Sequence, residues 1–135
     1  MIGLIEAGHE LEPLRLPPIS RTTLALFAGG SGDHNPIHID IDAARASGQD
    51  DVFAHGMLSM AYLGRLLTDW VPQERIRHLS TRFAAITPVL AAPVCTGRVT
   101  AVEEMDGERR AYLEIAVTLA DGTRTLVGDA CVALD

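Results

Sequence analysis

Residues 54–71, AHGMLSMAYLGRLLTDWV, constrain the fold more than any other stretch of the chain. The pattern is helical and apolar on nearly every side, through Met57, Leu58, Met60, Ala61, Tyr62, Leu63, Leu66, Leu67 and Trp70. Such a helix has little surface to give to water and must be wrapped by other structure. Pro72 closes it, because the proline ring cannot continue a helix. The chain that follows supplies a wrapping. RIRHLSTRFA, PVCTGRVTAVEEM, RRAYLEIAVTLA and TRTLVGDACVAL are rich in Val, Thr, Ile and Leu with partial alternation, and Asp-Gly pairs at 106 and 121 join the last three. Those pairs favour tight hairpins, so an antiparallel meander is expected. The fold class that results is α+β, an antiparallel β-sheet curled around a long central α-helix.

At 135 residues the chain fits one domain, 1–135, with a short N-terminal arm and no repeat or low-complexity linker to divide it. Hydrophobic residues make up 47% and aromatic residues only 4%. The core must therefore be built from tightly packed aliphatic side chains. A formal net charge of -7 leaves no excess of cations to neutralise phosphates, which argues against nucleic acid and anionic membrane as partners. Cys95 and Cys131 form no CxxC and no second pair, so two isolated core thiols are expected. The start, MIGLIEAGHELEPL, has glutamates in its apolar run and no basic segment, and no stretch of about eighteen apolar residues occurs. A cytoplasmic protein is the expectation.

Ahead of the central helix, Ser20 is placed to cap a helix through RTTLALFAGG that Gly29 and Gly30 should stop, and DIDAARASG reads as a short helix ended by Gly48. Between them lies SGDHNPIHID. Pro36 disfavours helix at Asn35 and Gly32 can supply a positive φ, so Asp33 to His38 should be an ordered turn. The turn gathers acid/base chemistry. The Asp33 carboxylate accepts hydrogen bonds, and a neutral imidazole at His38 both donates and accepts, so the two can polarise one water and return its proton elsewhere. Such a pair needs electrostatic help. Gly56, near the start of the long helix, can bring a bare N–H to a ligand oxygen, where the helix dipole favours developing negative charge.

Other chemistries fit less well. His34 and His38 have the i, i+4 spacing of a helical zinc pair, but Pro36 lies between them and no HExxH glutamate is present, so no metal is expected. His34 should point to solvent. GxSxG, Walker and GxGxxG patterns are absent from the sequence. All eleven basic residues are arginine, and Arg75, Arg77 and Arg82, with His78, form their densest group. It reads either as a solvated strand face or as a grip on a phosphate-bearing ligand.

SGDHNPIHID, followed by AARASG and FAHGMLSMAYL, resembles the signature of the MaoC-like (R)-specific enoyl-CoA hydratases, S-G-D-x-N-P-aliphatic-H with a later A-H-G-M. The match runs over roughly residues 20 to 70, and the strand-rich remainder suits that family's hot-dog fold. The resemblance implies that Asp33 and His38 hold the water added across a trans-2-enoyl thioester. It also implies that the Gly56 N–H polarises the thioester oxygen, with Asn35 and His55 helping to shape and position the site. A (3R)-3-hydroxyacyl product follows, with acyl-CoA as substrate and no separate cofactor; Arg75, Arg77 and Arg82 are then the candidate contacts of the CoA phosphates. Some members carry a hydroxyl residue about where this chain has Gly64, which leaves Ser59 as the candidate substitute. The resemblance further implies a homodimer or higher oligomer, since the acyl channel commonly lies where subunits meet; heteromeric relatives exist, so an active half of a pair is also open.

Two rivals are weighed against this reading. A hot-dog thioesterase often uses an Asp or Glu on the central helix, yet none occurs there before Asp69. A non-catalytic acyl-binding or assembly subunit would keep the loop for structure alone.

Overall fold

The computed structural model describes residues 4–135. A two-residue strand β1 (Leu14–Arg15) is followed by helix α1 (Arg21–Ser31), a 3-10 turn (Pro36–His38), helix α2 (Ile41–Ala46) and the central helix α3 (Gly56–Thr68). A second 3-10 turn (Gln73–Arg75) leads into β2 (Ile76–Phe83), β3 (Val94–Met105), β4 (Glu108–Thr118) and β5 (Arg124–Ala133). All neighbouring strands are antiparallel. Their order is β1-β3-β4-β5-β2.

The last three strands form the expected meander, and the first hairpin turns through Asp106 and Gly107 at φ 52° and 78°. That pair of positive φ angles matches the twist of the strands it joins. β2 departs from the meander. It crosses to the far edge and pairs with β5, while the N-terminal arm contributes a fifth strand, β1, on the opposite edge beside β3.

α3 lies across the concave face. Leu63, Leu66 and Leu67 are fully buried among Val99, Leu113, Val117, Leu126 and Val132 of the sheet, and burial of each leucine contributes about 1.5–3 kcal/mol. One face of the helix stays open. Met57 is 56% exposed and Ala61 and Arg65 also face outward, which corrects the expectation of a helix covered all round.

A second cluster of Ile19, Leu24, Ala44, Val52, Ala54 and Leu58 ties α1 and α2 to the first turn of α3. This cluster sets the loop between α1 and α2 against the helix start. Ser20 caps α1 as expected, accepting from the Thr23 N–H at 3.0 Å. Gly29 and Gly30 do not end that helix. It continues to Ser31 and stops where Gly32 turns to φ 79° and donates to the Ala28 carbonyl at 3.0 Å, because glycine within a helix keeps ordinary angles and only the capping position needs the left-handed one. No helix among the described residues is long and apolar enough to cross a membrane.

Candidate active site

Gly32 reverses the chain and hands it to a nested pair of side-chain turns. The Asp33 carboxylate accepts from the Asn35 N–H at 3.2 Å, and the Asn35 side chain accepts from the Ile37 N–H at 3.2 Å. Asn35 thus caps the 3-10 turn that Pro36 begins. The turn has one buried side chain, His38. His34 is exposed, as expected, and Asp40 is spent as the cap of α2, accepting from the Asp42 N–H at 2.9 Å.

Two backbone carbonyls assign the protons on the two imidazoles. His38 Nδ1 lies 2.7 Å from the Phe53 carbonyl, which can only accept, so in the neutral ring Nδ1 carries the proton and Nε2 is a free acceptor. That nitrogen stands 4.0 Å from Asp33 Oδ2. His55 Nε2 lies 3.1 Å from the Asp33 carbonyl, so it donates there and leaves Nδ1 bare. The rings of His38 and His55 stack with centroids 3.9 Å apart, and Phe27 meets His55 edge-on at 4.8 Å. Burial pushes the His55 pKa below its ordinary value, against the raising effect of the bond to Asp33. Enclosure thus favours the neutral form of the ring.

His55 is also the N-cap of α3, with no side-chain capping bond, and Gly56 is its first helical residue. The amide there is one of the unsatisfied donors that every helix start leaves. A Cβ at Gly56 would come within 2.8 Å of two ring carbons of Phe83, so the aromatic ring packs directly on the glycine. A cavity of about 530 Å³ opens at this point, bounded by Asp33, His38 and Gly56 and by the apolar side chains of Phe53, Met57, Phe83, Ile86 and Leu126. Phe53 and Phe83 had no signal in the sequence. One acts through a backbone carbonyl and the other reaches the site from the sheet edge.

Ser59 makes no hydrogen bond to Asp33. Its hydroxyl is buried on α3 with no hydrogen-bond partner among the described residues, as is His55 Nδ1, while a Cβ at Gly64 would meet nothing within 4 Å. The arginines are spread out rather than clustered. Arg75 sits in the turn before β2, Arg77 is clasped by Glu108 at 2.7 and 3.0 Å, and Arg82 is exposed beside Phe83 near the cavity.

One donor atom from each of Asp33, His38 and His55 lies within 4.8 Å of the others, the spacing of a metal site. The stack works against one. An imidazole binds a metal in its ring plane, and rings 3.9 Å apart at 28° aim their lone pairs side by side rather than at one ion.

An antiparallel sheet around a central helix defines a hot-dog domain, and here a carboxylate and an imidazole face each other beside that helix's start. The chain belongs to the family described as the MaoC like domain, whose profile matches residues 6–124. It is 28% identical over 114 residues to an (R)-specific enoyl-CoA hydratase from Rhodospirillum rubrum, covering 84% of this chain and 78% of that one. It is likewise 28% identical over 134 residues to 3-hydroxyacyl-thioester dehydratase Z from Mycobacterium tuberculosis, covering 94% and 86%. Among solved structures it resembles the (R)-hydratase from A. caviae involved in PHA biosynthesis, with a TM-score of 0.85 and 25% identity over 97% of this chain and 98% of that one.

Proposed function

We propose that this protein catalyses the reversible addition of water to a trans-2-enoyl thioester, giving the (3R)-3-hydroxyacyl thioester, with the acyl group carried on CoA. The observation that carries the reading is the bare Nε2 of His38 facing Asp33 across 4.0 Å, at the wall of a cavity that also reaches Gly56. The names of the hydratase and dehydratase relatives support it.

In the hydration direction Asp33 and His38 Nε2 hold one water. His38 takes a proton as the water oxygen bonds the β-carbon, and the electron pair of the double bond passes through the α-carbon to the thioester oxygen. The Gly56 N–H and the positive end of α3 stabilise that charge. The dyad then gives a proton to the α-carbon, so the enzyme ends as it began. No separate cofactor takes part.

The rim of the cavity is apolar and open, with Met57 56% and Phe83 53% exposed. A second subunit, the same chain or a related one, covers it in this reading, because apolar surface gathered at a ligand site marks an interaction surface. The functional test is the loss of enoyl absorbance when purified protein is added to crotonyl-CoA and longer enoyl-CoAs, with Asp33→Asn alongside. Loss that vanishes in the variant is the expected result. No loss with any chain length from folded protein would overturn the reading. Sedimentation of the same sample tests the covering subunit: a monomer at working concentration would count against a self-association.

A further inference from the structure

His55 Nδ1 and Ser59 Oγ are both buried, and neither has a hydrogen-bond partner among the described residues. They belong to residues four positions apart at the start of α3. Side chains on a helix lean toward its N-terminus, so a hydroxyl at i+4 leans over the residue at i. Both residues are almost wholly shielded, His55 at 1% and Ser59 at 0% exposure.

The proton assignment settles which atom needs what. With Nε2–H committed to the Asp33 carbonyl, Nδ1 of the neutral ring is a lone pair that requires a donor, and a serine hydroxyl is one. Ser59 has no competing attachment. The bond back to the carbonyl at i−4, the usual resort of a helical serine, is not made.

We propose that Ser59 is a positioning residue, its hydroxyl donating to His55 Nδ1 either directly, by rotation about χ1, or through one buried water, and so fixing the His55 ring. The inference rests on the reading of Asp33 and His38 as the pair that holds water. Ser59 sets the His55 ring, and His55 Nε2–H sets the backbone of Asp33. The His55 ring also stacks on His38, centroid to centroid at 3.9 Å, so one imidazole steadies both members of the dyad. A ring free to turn would release the Asp33 carbonyl and lose the stack together.

The test is Ser59→Ala in the full chain, read by long-range proton–nitrogen NMR of the imidazoles, by thermal unfolding and by hydration of crotonyl-CoA. In the natural chain His55 Nδ1 should resonate as a hydrogen-bonded acceptor. Ser59→Ala should move it to the free-acceptor position and lower kcat about tenfold with KM unchanged. An isolated orphan hydroxyl behaves in the opposite way: its deletion leaves Nδ1 and kcat alone and raises Tm. That result overturns the proposal, as does a lower Tm with an unmoved Nδ1, or a moved Nδ1 with unchanged kcat. The NMR reading needs no turnover. A natural chain inactive on every enoyl-CoA would therefore defeat the hydratase reading while the Nδ1 shift still decided the hydrogen bond.

Discussion

His38 Nε2 stands 4.0 Å from a carboxylate oxygen of Asp33, too far for a hydrogen bond and suited to a shared water. Two arms of about 2.8 Å span that gap at an angle of roughly 90°. The separation is enforced from behind, since Phe53 holds the far side of the imidazole at 2.7 Å and Asn35 holds the carboxylate.

Removing either member should cost rate rather than binding. Asp33→Asn retains an oxygen able to accept from the Asn35 N–H, so the turn survives while the negative charge is lost. We expect kcat to fall by about 10²–10⁴ with KM little changed, and the same for His38→Gln. The double variant should be no worse than the worse single, because the two act as a unit. Steady-state hydration kinetics of all three variants check this, and additive losses would contradict a shared water.

The glycine at 56 is explained by Phe83. A methyl group there would meet ring carbons at 2.8 Å, and the half-exposed ring must swing away or push the helix start aside. Gly56→Ala is expected to lower kcat/KM by about 10- to 100-fold, and Phe83→Ala in the same chain to recover much of it, since the double change removes the clash. Failure of the second change to recover activity would mean that the glycine matters for another reason.

What could be read from the sequence follows from how local each feature is. The Asp33–His38 turn is written in adjacent residues, because Gly32, Asn35 and Pro36 determine their own geometry through positive φ, side-chain capping and a fixed proline φ. The hairpin at Asp106–Gly107 is local in the same way. The open face of α3 was not legible, because Met57 and Ala61 are as apolar as Leu63 and only the placement of the sheet decides which of them it covers. Nor was the pairing of β2 with β5, a long-range choice among strands of similar composition. Nor was the reach of the arginine group legible: a strand advances about 3.3 Å per residue, so Arg75, in the turn before β2, and Arg82, near the strand's end, stand well apart.

That spread separates two arginine variants. Glu108 already grips the Arg77 fork, so Arg77→Gln should lower stability with little effect on substrate affinity. Arg82 is exposed at the cavity end of β2. Arg82→Gln is expected to raise KM for crotonyl-CoA severalfold and to leave the pantetheine thioester unaffected, the pattern of a lost phosphate contact. Equal effects on both thioesters would place the phosphates elsewhere.

Gly128 holds β5 against β2. A Cβ there would fall on the Ser80 carbonyl, and backbone cannot yield as a side chain can. Gly128→Ala should destabilise the protein by about 1–3 kcal/mol, read as a lower urea midpoint with an unchanged m-value. An unaltered midpoint would mean that the two strands part at no cost.

Acid should weaken the fold in two separate stages. The His55 pKa is pushed below its ordinary 6.5, chiefly by burial. Below pH 6.5 the unfolded chain takes a proton that the folded one refuses, so stability falls as pH drops from there. Glu108 acts lower on the scale: hydrogen bonds from Arg77 and then Arg110 hold its carboxyl down to about 2, against an ordinary 4.5. Its contribution is complete above pH 4.5 and is lost as pH falls from 4.5 toward 2. Urea midpoints across this range should therefore drop first below pH 6.5 and again below 4.5. Glu108→Gln should flatten the second fall and leave the first, and His55→Gln the reverse. An identical second fall in Glu108→Gln would assign the acid sensitivity to other carboxylates.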